Sequence, residues 1–194
     1  MMFGRNKGAR ETAKRIQPGT TGLEIGVWKG DSAAQFLKRG VLNLHLVDPW
    51  SADAYRYTGE FGMFGEFLER YKSLVGSDDE QAFQAFYDSV AKTVERRFKN
   101  DPVTIHRTTS REFFNRNLGL TSQFDWVYLD GSHAYAEVMN DLVCAGQITD
   151  GSIFGDDYGN KPGVTMAVND YVEQRGCQIQ VFGGNQYEVR DAPF

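Results

Sequence analysis

Short β-forming runs alternate with helix-patterned segments along nearly the whole chain, and most of the runs stop at an acidic residue, a glycine or a proline. Such alternation calls for parallel strands joined by crossover helices, with the sheet covered on both faces. Gly22–Gly26 reads as the first strand, and a helix begins near Asp31–Ser32. Asn43–Asp48 is the second, closed by Pro49, which cannot continue a hydrogen-bonded ladder. Pro102–His106 is the third, with a helix from about Ser110 to Asn117. Asp125–Asp130 is the fourth, with a helix from about Tyr135 to Ala145, and Ser152–Gly155 is the fifth. A helix from about Val164 to Arg175 then precedes Cys177–Phe182 and Gln186–Arg190. Those two runs, joined by Gly183-Gly184-Asn185, predict an antiparallel hairpin that closes the sheet. The expected class is α/β: a doubly wound, mostly parallel seven-stranded sheet with an antiparallel C-terminal hairpin.

A chain of 194 residues can build one full core without disulfide or metal staples, so residues 1–194 are read as a single domain. The segment from Ser51 to Asn100 breaks the strand–helix rhythm. It is too long for a plain loop. Phe64, Phe67, Leu68 and Tyr71 fall on one helical face, and Phe83, Phe86, Val90 and Val94 on another. This helical insertion at about 51–100 follows the second strand and should rise above that strand's carboxyl end. Two uses suit it: a lid over a substrate, or a packing layer that could also meet a second copy of the chain.

Charge narrows the partners. A formal net charge of −5 argues against nucleic acid, whose phosphates demand a basic face. Arg5, Lys7, Arg10, Lys14 and Arg15 form a local exception, read as a solvated first helix or arm. No apolar run follows them, so neither a signal peptide nor a membrane anchor is expected. Cys144 and Cys177 have no metal-ligand or redox spacing and read as reduced, small core residues of a cytoplasmic protein.

The run Phe124-Asp-Trp-Val-Tyr-Leu-Asp-Gly-Ser-His133 takes a buried strand straight into a carboxylate and an imidazole three residues apart. In an open α/β sheet, ligands bind outside the carboxyl ends of the strands. Four such ends present acids: Glu24, Asp48, Asp130 and the pair Asp156-Asp157. Singly, each could cap a helix or shape a turn. Together they form a poor cradle for phosphate, since Glu24 would repel it and Trp28 stands where close backbone approach calls for glycine. A ligand with a cationic centre and ribose hydroxyls fits them better.

Four motifs occur in order: Leu23-Glu-Ile-Gly-Val-Trp-Lys-Gly-Asp-Ser32, Leu46-Val-Asp-Pro-Trp50, Asp125-Trp-Val-Tyr-Leu-Asp-Gly-Ser-His-Ala-Tyr135 and Gly155-Asp-Asp-Tyr158. Together they resemble class I S-adenosylmethionine-dependent methyltransferases, whose sheet is Rossmann-like. Within these, the chain is similar to the metal-dependent O-methyltransferases that include the macrocin-type macrolide sugar enzymes. Trp28 departs from the pattern, which often carries a further glycine there.

The resemblance implies roles. Glu24 and Gly26 would line the methionine part of S-adenosylmethionine, with Gly30 and Ser32 opening the next helix. Asp48 would accept both ribose hydroxyls, while Trp50, Thr109 and Ser110 would border the adenine. Asp130, itself beside the cofactor, would join Asp156 and Asp157 in holding a divalent cation such as Mg²⁺. His133 would be the general base. The chemistry is coherent: a sugar hydroxyl holds its proton tightly, and a cation and a base both ease its removal. Oxygen ligands suit a hard cation. The expected partner is a small-molecule acceptor, a sugar or glycosylated metabolite, with neither nucleic acid nor membrane and with room for a homo-oligomer. Two other readings stand beside it, a catechol-like phenol as acceptor and a cofactor-binding or assembly module without turnover.

Overall fold

A computed structural model describes residues 7–56, 75–77, 79–117, 119 and 122–190. The strands are β1 (Thr21–Ile25), β2 (Asn43–Asp48), β3 (Val103–Arg107), β4 (Phe124–Leu129), β5 (Thr149–Gly155), β6 (Gln178–Phe182) and β7 (Gln186–Arg190). They form one sheet in the order β3-β2-β1-β4-β5-β7-β6. The pairs among β1 to β5 are parallel, whereas β7 runs antiparallel to both β5 and β6. The expected α/β sheet with its closing hairpin is therefore present. β1 and β4 are neighbours although far apart in sequence, so the chain's path reverses between them and opens a crevice at their carboxyl ends.

Side-chain alternation divides the core in two. Trp126 and Tyr128 of β4 face one layer, while Val127 and Leu129 face the other. The first layer holds α1 (Lys7–Ala13), α2 (Ala33–Leu37) and α4 (Glu80–Arg97); the second holds α5 (Ser110–Asn117), α6 (Tyr135–Ile148) and α7 (Pro162–Arg175). A short α3 (Ala52–Arg56) follows β2. Gly22 is required by packing: a Cβ there would come within 2.0 Å of the Trp126 ring. Cys144 and Cys177 are free thiols, the second buried. Among the described residues no helix is long and apolar enough to cross a membrane.

One expectation changes, and part of the helical insertion takes its place in the core. The basic N-terminal segment is more than a solvated arm: α1 buries Ala9, Thr12 and Ala13, and Arg15 reaches buried Glu188 at 3.2 Å. Burial wins because the helix covers one end of the first layer. In the Ser51–Asn100 segment, α4 buries Phe83, Tyr87, Val90 and Val94 in the first core. It is the crossover helix that parallel β2 and β3 require. Its N-terminus is capped by Asp79, which accepts a bond from the Gln81 amide at 3.2 Å. Phe64, Phe67, Leu68 and Tyr71 lie outside the described residues.

Candidate active site

The carboxyl ends of β1 and β2 form the first half of the site. Glu24 is wholly buried at the centre of the sheet. Its Oε1 accepts a bond from Ser32 Oγ, while its Oε2 is buried with no hydrogen-bond partner among the described residues. Burial pushes the Glu24 carboxyl well above its usual range, and the Ser32 bond only partly offsets this. A buried acceptor left open is costly. A ligand ammonium would satisfy it. Gly26, at φ +88°, carries the chain past β4: a Cβ there would lie 2.1 Å from the Asp130 carbonyl oxygen. Gly30, at φ +74°, ends the same loop, and a Cβ there would meet the Phe98 ring.

Asp48 acts first on its own backbone. Oδ2 accepts from the Val27 and Trp28 amides at 3.0 and 2.9 Å, and Oδ1 from the Trp50 amide at 2.8 Å. The group is nearly inaccessible, and burial raises its carboxyl above the ordinary range despite those three bonds. A carboxylate offers about four acceptor positions, so about one remains here for a ribose hydroxyl rather than two. Trp28 and Trp50 both have positive φ, 52° and 39°, and the Trp50 Nε1 donates to the Trp28 carbonyl at 2.8 Å. Such backbone is strained in a bulky residue and persists because the surroundings over-determine it. The Trp50 ring is fully buried in the first core, so it has no open face for an adenine. Arg107 and Gln84 both donate to the Trp50 carbonyl, at 2.8 and 3.2 Å. Thr109 forms a reciprocal cap with Glu112 at the start of α5, at 3.2 and 3.4 Å, and Ser110 is the first residue of that helix.

The second half lies where β4 and β5 end. Asp130, His133 and Asp157 each offer one ligand atom, all within 4.8 Å of one another. His133 Nε2 is 3.0 Å from Asp157 Oδ2, and His133 Nδ1 is buried. That contact holds the Asp157 carboxyl below its usual range. Asp157 takes φ +66°, which turns it away from the path of β5. Asp156 does not belong to the close group. Its Oδ1 accepts from the Asp157 amide at 2.6 Å, and burial raises its carboxyl. The structure thus gathers two of the three expected cation ligands with the expected base, and sets the third beside them. The donor set, carboxylate oxygens with one imidazole, fits a divalent cation.

Beneath this half is a small cavity lined by Asp130, Ser132, His133, Asp141, Asp156 and Tyr187. Asp141, on α6, is buried; its Oδ1 has no hydrogen-bond partner among the described residues, and burial pushes the carboxyl up to about 7. Sequence reading passed over Asp141, Gln186 and Tyr187. Asp141 left a signal, an acid on the apolar stripe of Val138, Leu142 and Ala145. Gln186 and Tyr187 left none, because their place depends on β7 pairing beside β5.

A family model described as a methyltransferase domain matches residues 23–158, which run from β1 through the Asp156-Asp157 turn. No curated protein sequence matches the chain. Among solved structures, the fold is similar to an O-methyltransferase from Bacillus cereus in complex with S-adenosylhomocysteine (SAH), at TM-score 0.58 and 12% identity over 98% of this chain and 82% of that one. It is also similar to an SAH-bound methyltransferase from Podospora anserina, at TM-score 0.59 and 13% identity over 99% and 80%. A precorrin-6y C5,15-methyltransferase from Geobacter metallireducens gives 0.58 and 10% over 97% and 87%. With the sheet order, the glycine loop after β1 and the acids at the strand ends all in place, the chain belongs to the methyltransferase-domain family and is an S-adenosylmethionine-dependent methyltransferase.

Proposed function

We propose that the enzyme transfers a methyl group from S-adenosylmethionine to a hydroxyl oxygen of a small molecule, a sugar or glycosylated metabolite, with a divalent cation and His133 assisting. Glu24 and the Gly26–Gly30 loop take the methionine end, Asp48 takes a ribose hydroxyl, and the acceptor enters beside His133. In the transfer the carbon–sulfur bond breaks as the carbon–oxygen bond forms. The electron pair returns to sulfur, leaving neutral SAH, and the acceptor's proton passes to His133. Holding the reacting atoms in line supplies much of the rate.

One observation carries this reading: the 3.0 Å contact between His133 Nε2 and Asp157 Oδ2 at the switch-point edge. With Nδ1 buried, the imidazole can take an acceptor's proton at Nε2 only once Asp157 releases that atom. Asp157 therefore needs another partner, and a cation shared among Asp130, Asp156 and Asp157 is a suitable one. Such a cation would polarise the acceptor oxygen and ease loss of its proton. After the transfer, Asp157 is placed to stabilise the imidazolium. A phenolic acceptor would need less of this help, because it ionises more readily.

The test uses S-adenosylmethionine labelled in its methyl group with glycosylated and catechol acceptors, each with Mg²⁺ or with a chelator. Label should pass to a sugar hydroxyl in the presence of Mg²⁺ and fall to background on chelation. Undiminished transfer after exhaustive chelation would remove the cation. Transfer to catechols alone would replace the acceptor class.

A further inference from the structure

The turn between β5 and α7, with the first residues of that helix, meets the His133–Asp157 pair at two places. At the first, Asp157 is held through its other oxygen: Oδ1 accepts from Asn160 Nδ2 at 2.9 Å, while Oδ2 lies 3.0 Å from His133 Nε2. A carboxylate only accepts, so the Asn160 amide presents its nitrogen. The Asp157 carbonyl accepts in turn from the Asn160 and Lys161 amides, at 3.1 and 2.9 Å, which closes the turn. Thr165 Oγ1 ties it to α7, accepting from the Gly159 amide at 2.9 Å and donating to the Lys161 carbonyl at 3.0 Å. At the second place, α7 opens with Pro162 and Gly163 against the His133 loop. A Cβ on Gly163 would lie 2.3 Å from the His133 carbonyl oxygen and 2.9 Å from the Tyr135 amide nitrogen. A carbon and an oxygen in contact need about 3.3 Å, so any side chain there would push the two backbones apart by about 1 Å. Gly163 has no positive φ, so close approach and not backbone freedom calls for glycine.

We propose that Gly163 and Asn160 are positioning residues for the His133–Asp157 pair: Gly163 sets where the His133 main chain lies, and Asn160 fixes which Asp157 oxygen meets the imidazole. This role rests on His133 being the base of the proposed reaction. Gly163 acts by excluded volume between two backbones, neither of which yields as a flexible side chain would. Asn160 acts by one exposed bond, but on the oxygen that stays held when Oδ2 leaves the imidazole for another partner. Misplacing a reacting group by about 1 Å can cost about a hundredfold in rate, so the close approach of Gly163 bears directly on the reaction.

The chain has three histidines, so the His133 ring nitrogens can be followed by nitrogen-15 NMR on the whole chain with SAH, assigned through His133→Gln. Gly163→Ala should move the His133 signals and leave those of His45 and His106, on β2 and β3, in place. With the glycosylated acceptor that takes label, its kcat should fall about 10–100-fold, while SAH affinity by calorimetry stays within about twofold. Asn160→Ala, at an exposed position, should break the Asp157–His133 contact in a crystal with SAH and lower kcat about two- to tenfold. If the turn only packs, alanine, the better helix former, would raise the melting temperature of Gly163→Ala with the His133 signals unmoved. That result, with the Asp157–His133 contact intact in Asn160→Ala, overturns the proposal. Should Gly163→Ala not fold, Asn160→Ala decides alone, and an unmoved ring with unchanged kcat overturns it. Should His133→Ala keep the wild-type rate, the base reading falls by itself. The His133 signals of the two variants then decide whether these residues position the pair, and unmoved signals overturn that as well.

Discussion

Along β1 and β2 the acids of the site are buried and already engaged with the fold, whereas along β4 and β5 they are partly open and tied mainly to one another. Glu24 and Asp48 are 0% and 2% exposed. The side chains of His133 and Asp157 keep 18% and 20% of their surface. Asp48 holds three backbone amides of the loops it would offer to a cofactor. Asp157 holds the His133 imidazole, the base in the proposed reaction, at 3.0 Å. Binding a constant ligand rewards a rigid, preorganised surface, because ordering costs are met once during folding. Moving a proton requires a group that can change partners. The difference teaches where stability and activity can be separated by mutation and where they cannot.

The largest effect is expected on the open half. His133→Ala should lower kcat about 10²–10⁴-fold and leave SAH affinity nearly unchanged. A variant retaining a third or more of the wild-type rate on the true acceptor would break the contrast, since nothing on that half would then move a proton.

On the buried half, Asp48→Ala should fail in both respects. Three amides lose their acceptor, so stability should drop by about 2–4 kcal/mol in denaturant unfolding, with SAH affinity reduced tenfold or more. Lost affinity with unchanged stability would show that Asp48 serves the ligand alone.

Asp141 sharpens the comparison because it is buried yet lies under the open half. Its folded carboxyl titrates near 7, against an ordinary value of 3.8. The folded state thus keeps a proton that the unfolded chain has lost. This contribution to stability is complete below about pH 4 and disappears as the pH rises through 7. It amounts to at most about 4 kcal/mol. Relative to Asp141→Asn, wild type should lose stability between about pH 4 and 7; parallel curves for the two proteins would place the titration elsewhere.

The smallest effect belongs to the Asp88–Arg107 pair, which bonds at the surface behind Trp50. Both side chains are more than a third exposed, so Asp88→Asn should change stability by less than about 1 kcal/mol. A large loss of SAH affinity in that variant would extend the buried half outward to α4.

Much of this architecture was legible in the chain because its signals are local. Alternating periods of two and 3.6 mark strands and helices, and Pro49, Asp130-Gly131 and Gly183-Gly184 mark their ends. The acids were found because they directly follow β-forming runs, and strand ends in such a sheet meet at one edge. The use of Trp50 was not legible. It occupies a plausible place for an adenine neighbour, but at φ 39° its ring turns into the core. Nor does the chain order show that His133 reaches Asp157 or that α4 is core rather than lid.

What the sequence determined by itself was the layering, the switch-point crevice and the set of groups delivered to it, since each follows from propensity, period and punctuation within a few residues. Tertiary structure alone decided partners and protonation. Glu24 keeps one oxygen unmatched among the described residues, burial pushes the Asp141 carboxyl up to about 7, and Gln186 joins Thr12 to Tyr128, because burial and contacts between elements distant in sequence set local solvation and hydrogen bonding. Those quantities depend on every group around a site, and no run of neighbouring residues contains them.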